Sequence, residues 1–330
     1  MASFKCEVVR FDLEKHPNAD SLSIAKIKGW SCVVRTEEFI DKQLAVYIPI
    51  ESVFPDNPRW DFLGDAKKKL KSVRLRGALS QGLLVPCDDE SWIEGQDVTE
   101  ILGITKWEPP PLSPKMAGEC VAGPPELCKY TDIENYKNFP ETFIEGQDEV
   151  VIQSKRHGTN GRFSIVNGEF YVGSHNTLKK RNPDNLYWKI AIKYNIEQLL
   201  RDNFAGHNVI LFGEIYGDKV QNPFLYDCKI GEQKLVCFDL FIDGSYLNFD
   251  DLKVCVEKMG LSMPYTYPSQ LWTKELVKLA EENIGEGNVP CREGIVVRTR
   301  TEQWNSKLGR KILKIINPEY DLLKHKGREG

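Results

Sequence analysis

Short apolar runs separated by glycine, proline and aspartate characterise the first hundred residues of the chain. The runs 32–35, 45–50 and 82–86 are rich in valine, leucine and isoleucine, and each is too short for a stable helix. Short runs of this kind, bounded by turn-forming residues, are typical of strands, and closely spaced short strands are typical of a small barrel. The pattern therefore predicts a β-barrel in this part of the chain.

In the remainder of the chain, strand patterns alternate with helix patterns. Apolar residues recur at helical spacing in 184–203, 248–259 and 271–282, so each segment is predicted to be an amphipathic helix. Asn167-Gly168 and Asp243-Gly244 have the composition of tight turns between antiparallel strands. The predicted strands are 149–153, 161–166, 170–173, 209–212, 235–238, 294–298 and 311–316. This part is therefore predicted to be an α+β domain.

A proline-rich segment at 107–125 separates the two patterns. Proline fixes φ and removes a backbone donor, so neither a helix nor a central strand can run through such a segment. A length of 330 residues also suits two domains better than one. We predict a barrel domain at 1–106, a linker at 107–126 and a second domain at 127–330.

Composition and charge narrow the class of protein. Lys plus Arg number 44 and Asp plus Glu 48, for a formal net charge of −4, which excludes a protein that binds nucleic acid through bulk positive charge but leaves room for a local basic groove. The nine cysteines show no C-x-x-C spacing, which predicts free thiols and an intracellular, reducing compartment, either cytoplasm or nucleus. No apolar stretch approaches the roughly 18 residues of a membrane span, so no membrane partner is expected.

Six short motifs follow the linker in order. In the first, Lys155 stands at the end of an apolar strand before a glycine turn, where its amine could attack a phosphorus atom. Lys-x-x-Gly alone carries little weight, because it recurs at Lys26, Lys115 and Lys324; the argument rests on the order of all six. The motifs are Lys155-Arg-His-Gly158, Gly173-Ser-His-Asn176, Leu211-Phe-Gly-Glu-Ile-Tyr-Gly217, Lys234-Leu-Val-Cys-Phe-Asp239, Arg292-Glu-Gly-Ile-Val-Val-Arg298 and Lys311-Ile-Leu-Lys314.

In this order the motifs resemble those of the covalent nucleotidyltransferase superfamily of ligases and capping enzymes. The run His-Gly-Thr-Asn after Lys155 is similar to ATP-dependent RNA ligases rather than to DNA ligases, which usually have Asp-Gly-x-Arg there. Upstream, His16-Pro-Asn-Ala-Asp-Ser-Leu22 resembles the N-terminal OB-fold of one branch of these RNA ligases. The resemblance implies an α+β fold: an antiparallel-sheet nucleotidyltransferase domain preceded by a small OB-fold β-barrel.

The resemblance also implies roles for individual residues. Lys155 would form a covalent bond to AMP, taken from ATP, and Glu214 would bind the ribose. Glu293 would hold Mg²⁺ or Mn²⁺, whose preferred ligands are oxygens. Phe238 would stack on adenine, although Val236 and Phe238 also alternate as core residues of a strand do, so packing in the core stays an alternative.

The remaining motif residues are expected around the phosphates. His157, Gly158 and Asn160 match the nucleophile motif of RNA ligases and would position the ATP phosphates or the water shell of the metal. Of Lys311 and Lys314, the motif context favours Lys314, but both are retained. These lysines and the metal are expected to disfavour the ammonium form of the attacking lysine, whose free pKa is about 10.4.

Two positions depart from the family pattern. His175 occupies a place where the family usually has arginine or lysine, and Ser154 precedes the nucleophile where many relatives have an acidic residue.

Two basic runs are candidate contacts for RNA. Lys68, Lys71, Arg74 and Arg76 lie in the predicted barrel after two aromatic residues, Trp60 and Phe62, whose rings could stack on bases. The run Lys179-Lys-Arg181 is the second candidate. Both runs could equally be solvated surface.

The sequence therefore predicts a monomeric ATP-dependent RNA ligase that joins 3′-hydroxyl and 5′-phosphate RNA ends through a lysyl-AMP intermediate and an adenylylated RNA end. A DNA ligase and a GTP-dependent capping-type enzyme are alternatives within the superfamily. Both usually carry an OB domain after the catalytic domain, and only a short segment follows Tyr320 here. The alternative from another class is an RNA-binding protein whose ligase site is inactive.

Overall fold

The structure, a computed structural model, describes residues 4–108, 118–282 and 287–326. Residues 109–117 of the predicted linker lie outside the described residues. The chain forms two compact units: unit 1 contains Met1–Pro110, Glu134–Pro140 and Pro318–Gly330, and unit 2 contains Pro111–Ile133 and Glu141–Asn317. The domain limits drawn from the sequence stay a prediction.

The elements are numbered in chain order. The strands are β1 (Glu7–Arg10), β2 (Asp12–Lys15), β3 (Leu22–Ile27), β4 (Trp30–Arg35), β5 (Leu44–Ile48), β6 (Ser52–Val53), β7 (Val73–Leu75), β8 (Ala78–Ser80), β9 (Leu83–Pro86), β10 (Thr105–Lys106), β11 (Cys120–Val121), β12 (Glu134–Asn135), β13 (Glu149–Lys155), β14 (Thr159–Val166), β15 (Glu169–Gly173), β16 (Leu178–Lys179), β17 (Val209–Gly217), β18 (Gln233–Ile242), β19 (Ser245–Tyr246), β20 (Gln270–Leu271), β21 (Gly294–Thr299), β22 (Trp304–Asn305), β23 (Gly309–Arg310) and β24 (Ile312–Ile316). The helices are α1 (Thr36–Phe39), α2 (Leu186–Lys193), α3 (Ile196–Asn203), α4 (Phe249–Lys258) and α5 (Pro318–Lys326), and three 3₁₀ segments are Pro58–Lys68, Tyr136–Asn138 and Lys274–Glu281.

Unit 1 is built from small antiparallel sheets, as the strand rhythm predicts. One sheet has the order β1-β5-β9 and another the order β2-β3-β4, and β7 pairs with β8. Burial alternates along β3 and β4, so one face of each strand packs inward and the other faces solvent. The core includes Val8, Val46, Ile48 and Trp60.

His16 has a structural role in unit 1. Its ring is buried, its Nδ1 accepts the N–H of Asn18 at 3.0 Å and its Nε2 lies 3.1 Å from the carbonyl oxygen of Leu75. Because Nδ1 is an acceptor, Nε2 is the ring nitrogen that carries the proton toward Leu75. Asn18 also donates to the carbonyl of Arg76 at 2.9 Å. The segment that begins at His16 therefore fixes the turn between β7 and β8, where Arg76 has a positive φ of 47°.

Unit 2 contains two large antiparallel sheets and the short β22–β23 pair. The larger has the order β11-β16-β15-β14-β17-β18-β19, and the second includes β20, β13, β21 and β24 in that order. Helices α2, α3 and α4 pack on one face of the larger sheet, where Phe163, Leu211, Ile215 and Leu240 belong to one buried cluster with the helices. A second buried cluster, which includes Tyr130, Ile210 and Phe212, packs on the opposite face.

The turns and most elements of unit 2 confirm the sequence predictions. Both residues of the Asn167-Gly168 and Asp243-Gly244 turns have positive φ, the geometry that twisted hairpins need. The predicted helix 184–203 is wrong as one helix, because Asn195 adopts a left-handed conformation at φ 50° and separates α2 from α3. The predicted helix 271–282 is a 3₁₀ segment, in which residues three apart also share a face, so the apolar spacing alone could not distinguish the two.

All nine cysteines carry free thiols. Within the described ranges, no helix combines the length and apolar character needed to cross a membrane.

Candidate active site

One cavity of about 240 Å³ in unit 2 is lined by residues of both sheets. Five residues predicted from the motifs lie on its wall: Lys155, Asn160, Glu214, Phe238 and Lys314. Polar residues outside that predicted set also line the cavity, among them Tyr130, Asp132, Ser154, Arg156, His175 and Arg298. Residues that are up to 184 positions apart in number therefore meet in one place.

Strand register explains this convergence. In the smaller sheet, Val296 of β21 lies opposite both Gln153 of β13 and Lys314 of β24. In the larger sheet, Glu214 of β17 lies opposite both Asn160 of β14 and Val236 of β18. Residues directly opposite each other in antiparallel strands share a face, so each row presents its side chains to the same cavity.

Lys155, which lines the cavity, forms an ion pair with Glu293, which is not one of the lining residues. Lys155 is the last residue of β13, Glu293 immediately precedes β21, and Lys155 Nζ lies 2.7 Å from Glu293 Oε1. Burial disfavours the ammonium, but the charges of Glu293 and Glu214 outweigh burial, and the pKa of Lys155 is raised. The expected lowering by neighbouring cations is therefore outweighed here by two carboxylates.

The carboxyl group of Glu214 has a strongly raised pKa. Burial raises its pKa from 4.5 to about 8, and nearby Glu293 adds to this, while the Lys155 charge and a hydrogen bond from the Gly158 N–H oppose it. A carboxyl that is neutral near pH 7 can donate a hydrogen bond as well as accept one.

Gly158 is required by close packing. A Cβ atom at this position would lie 2.3 Å from the carbonyl oxygen of Ile215 and 3.0 Å from Cγ of Glu214. Such contacts are too short for any side chain, so only glycine allows the turn after Lys155 to approach β17. This geometry gives the glycine of the first motif a physical reason.

Phe238 sits in a β-bulge. Phe212 pairs with Asp239 but the next residue, Gly213, pairs with Cys237, so Phe238 has no partner on β17. A bulge re-aims the side chain of the extra residue. Both Val236 and Phe238 line the cavity, and Phe238 is half-buried with an edge contact to Tyr130 at 4.9 Å between ring centroids.

A buried ion cluster lies next to the bulge. Asp239 Oδ2 accepts from Arg310 Nη2 at 2.8 Å and from the hydroxyl of Tyr130 at 3.0 Å, and Oδ1 lies 3.3 Å from Arg298 Nη1. Glu302 pairs with both arginines. Four balanced charges thus fix the strand beside Phe238. These residues are not among the site residues predicted from the sequence; a carboxylate within an apolar strand, which needs buried cations, was the available signal.

Lys311 and Lys314 have different surroundings. Lys314 lines the cavity, whereas Lys311 Nζ bonds Asp148 Oδ2 at 2.7 Å. Lys311 precedes β24 and lies outside the row that contains Gln153, Val296 and Lys314. The structure thus brings Lys314, and not Lys311, to the cavity.

The two histidines also differ. The ring of His157 packs edge-on against Phe224 at 4.9 Å, and its backbone N–H donates to the hydroxyl of Tyr226. His175 lines the cavity, with Nε2 3.5 Å from Asp132 Oδ1. Burial lowers the pKa of His175, although the Asp132 charge opposes this.

The oxygen donors near Lys155 suit a hard divalent cation. Glu293 is a buried carboxylate, and Oδ1 of Asn160 is buried without a hydrogen-bond partner. A buried amide oxygen without a partner is costly unless a ligand or water satisfies it. Carboxylate and amide oxygens are ligands that Mg²⁺ and Mn²⁺ prefer, so the residues fit such an ion.

The basic run of unit 1 is partly paired with acidic residues. Lys68 bonds Asp65 at 2.9 Å, Arg74 pairs with Glu319, and Arg76 and Lys71 lie near the β7–β8 hairpin. The expectation that Trp60 stacks on a base is wrong, because its ring is 1% exposed and belongs to the core; Phe62 is 67% exposed.

The fold of unit 2 and its cavity define a nucleotidyltransferase of the ligase type. A family model described as RNA ligase matches residues 148–316, and the chain belongs to this RNA ligase family. A second model, an OB-fold domain, matches residues 8–87 and confirms the predicted barrel.

Solved structures of the Naegleria gruberi RNA ligase are similar over the whole length. A lysine variant with ATP and Mn is 26% identical, with a TM-score of 0.82, and the match covers 98% of this chain and 99% of that chain. The same ligase with pyrophosphate is also 26% identical, with a TM-score of 0.81 and coverage of 99% and 100%. The comparison with curated protein sequences found no match. The predicted fold class is thereby confirmed, while the roles of individual site residues stay predictions.

Proposed function

We propose that this chain is an ATP-dependent RNA ligase that joins RNA 3′-hydroxyl and 5′-phosphate ends. It belongs to the RNA ligase family, and the similar N. gruberi ligase has been solved with ATP, AMP and pyrophosphate. The observation that carries the proposal is a cavity lined by Lys155, Glu214 and Phe238, in which Lys155 Nζ lies 2.7 Å from Glu293 Oε1.

In the first step, Lys155 attacks the α-phosphorus of ATP. The Nζ–phosphorus bond forms, the bond from that phosphorus to the bridging oxygen breaks, and pyrophosphate leaves. Lys155 must first lose a proton, and Glu293 holds its Nζ by a hydrogen bond. Phe238 stacks on the adenine, Glu214 binds the ribose, and Lys314 offsets the negative charge of the phosphates.

Two further transfers complete the reaction. An oxygen of the RNA 5′-phosphate attacks the AMP phosphorus, the phosphorus–nitrogen bond breaks, and Lys155 is released while AMP caps the RNA end. The 3′-hydroxyl of the second end then attacks the capped 5′-phosphorus, and AMP leaves with the electron pair of the broken phosphoanhydride bond. His157, Gly158 and Asn160 form the turn that faces these phosphates.

The reaction uses Mg²⁺ or Mn²⁺, which neutralises phosphate charge and polarises the phosphorus–oxygen bonds when bound. Glu293 and Asn160 are the residues that would hold it. Lys311, whose Nζ is bonded to Asp148, would support β24 rather than touch the nucleotide.

RNA contact in unit 1 is assigned to Lys68, Lys71, Arg74 and Arg76, whose charges would follow the phosphates of the RNA backbone. The exposed ring of Phe62 supports this surface, because it can stack on a base. We also assign a monomeric state and a reducing compartment, the latter on the nine free thiols.

Sealing of defined RNA ends tests the proposal. A nicked or single-stranded RNA with a 5′-phosphate and a 3′-hydroxyl should be joined with ATP and Mn²⁺ or Mg²⁺. GTP in place of ATP should fail, and a DNA nick should be sealed far more slowly. Preference for GTP would indicate a capping-type enzyme, preference for DNA a DNA ligase, and RNA binding without sealing an inactive site.

A further inference from the structure

Arg156, the residue after the nucleophile, is enclosed by aromatic rings. Its guanidinium lies 4.3 Å from the ring centroid of Tyr216 and 5.0 Å from that of Tyr226, and its Nη1 donates to Asp227 Oδ1 at 3.3 Å. The side chain is 10% exposed. Tyr226 and Asp227 belong to one loop, residues 221–227, which we call the clasp loop.

The clasp loop also holds the next two residues. The backbone N–H of His157 donates to the hydroxyl of Tyr226, and the His157 ring packs against Phe224. Gln221 Nε2 lies 3.4 Å from the carbonyl oxygen of Gly158 and donates to it. The whole turn that follows Lys155 is therefore bonded to one loop that is distant in sequence.

Tyr226 has an unusual backbone conformation. Its φ is 54°, in the left-handed region that bulky residues rarely adopt, and its side chain is 2% exposed. Its carbonyl accepts the N–H of Asn288 at 3.0 Å, in the segment that leads to Glu293. A Cβ added to Gly287 would lie 3.0 Å from the Tyr226 carbonyl, so this segment packs closely on it. A residue stays in such a conformation only where the surrounding structure holds it. Residues of this kind cluster at functional sites.

We propose that Tyr226 is a positioning residue for Lys155: its hydroxyl fixes the His157 amide and its ring carries Arg156, so the lysine amine is held in line with the α-phosphate of ATP. This inference rests on the proposed function. It concerns the steps in which the lysine gains and loses AMP, since the lysine plays no covalent part in the final joining of RNA ends. Displacement of a reacting group by about 1 Å can cost on the order of a hundredfold in rate.

Tyr226→Phe tests the inference, because it removes the hydroxyl and keeps the ring. We expect the single-turnover rate of enzyme adenylylation to fall by about tenfold to a hundredfold. The ATP concentration at half-maximal rate should stay within about twofold, and sealing of chemically pre-adenylylated RNA should keep the wild-type rate. Amide hydrogen exchange in residues 156–158 should become faster.

Tyr194→Phe is the matched control. Its hydroxyl also receives a backbone N–H, that of Leu235, but Tyr194 lies beside α2 and has no contact with the nucleophile turn. This variant should adenylylate at the wild-type rate. Asp227→Asn is a second test variant, at a residue whose side chain is exposed. The substitution weakens the contact with Arg156. It should slow adenylylation without slowing the sealing of pre-adenylylated RNA.

The possible outcomes separate this inference from the proposed function. Adenylylation at the wild-type rate in both Tyr226→Phe and Asp227→Asn would overturn the positioning role, as would an equal loss in adenylylation and in sealing of pre-adenylylated RNA. If Tyr226→Phe does not fold, Asp227→Asn decides by the same two rates. A wild-type protein that forms no adenylate would instead overturn the proposed function, and the positioning role with it.

Discussion

Lys155 Nζ and Glu293 Oε1 lie 2.7 Å apart, so the proposed nucleophile is an ammonium paired with a carboxylate. The carboxylates of Glu293 and Glu214 raise the pKa of Lys155 against the opposing effect of burial. The neutral amine that is needed for attack is therefore a minor form of Lys155 until another positive charge compensates the two carboxylates.

Removal of one carboxylate should make Lys155 more reactive. Glu293→Gln takes away a negative charge that favours the ammonium, so the pKa of Lys155 should fall and the neutral amine should appear at lower pH. Competitive acylation across a pH series, read by peptide mass spectrometry with exposed Lys307 as internal reference, measures this shift. An unchanged titration of Lys155 in the variant would show that Glu293 does not set its protonation.

Glu214 should make stability depend on pH. Its pKa is raised to about 8 in the folded state, above its ordinary value of 4.5, so the folded protein binds more protons than the unfolded chain between these values. The free energy of unfolding should fall as pH rises through this window, by at most about 1.4 kcal/mol per pH unit. Denaturant unfolding of wild type and Glu214→Gln at several pH values checks this. A constant difference between the two proteins would contradict the prediction.

Lys311→Ala and Lys314→Ala should have different effects. Lys314 lines the cavity, so its loss should slow adenylylation with little change in stability. Lys311 is paired with Asp148 and both side chains are about nine-tenths buried, so its loss should lower the free energy of unfolding by about 1–3 kcal/mol. Single-turnover adenylylation and denaturant unfolding separate the two effects. Slower adenylylation in Lys311→Ala together with lower stability in Lys314→Ala would contradict the prediction and would make Lys311 the functional lysine of the sixth motif.

Phe238 should contribute to ATP affinity. Aromatic stacking on a base is worth about 1–3 kcal/mol, so Phe238→Ala should raise the half-saturating ATP concentration by about fivefold to about 150-fold. Phe238→Tyr keeps the ring and should stay close to wild type. Loss of thermal stability with unchanged ATP dependence would support the alternative that Phe238 is only a core residue.

The sequence carried enough information for the fold and for part of the cavity wall. Strand patterns, turn residues and motif order predict that Lys155, Glu214 and Phe238 lie on or at the ends of strands and belong to the site, because these signals are local. The positions of the motifs relative to one another follow from strand register, which brings Asn160 and Glu214 into one row.

Contacts that depend on distant side chains could not be predicted. The bulge at Phe238 arises from a shift in register that no local pattern marks. The bond from Lys311 to Asp148 and the bond from His157 to Tyr226 join residues far apart in sequence. Periodicity also could not show that Trp60 is core, because a buried and a base-stacking aromatic have the same local sequence.

The central claim is that Lys155 becomes covalently bound to AMP. The protein should be incubated with ATP and Mn²⁺, digested, and analysed by peptide mass spectrometry for an AMP adduct. We expect the adduct on Lys155 alone, and we expect it to be absent from Lys155→Ala and Lys155→Arg. An intact wild-type protein without the adduct, or an equal yield of adduct in the two variants, would contradict it.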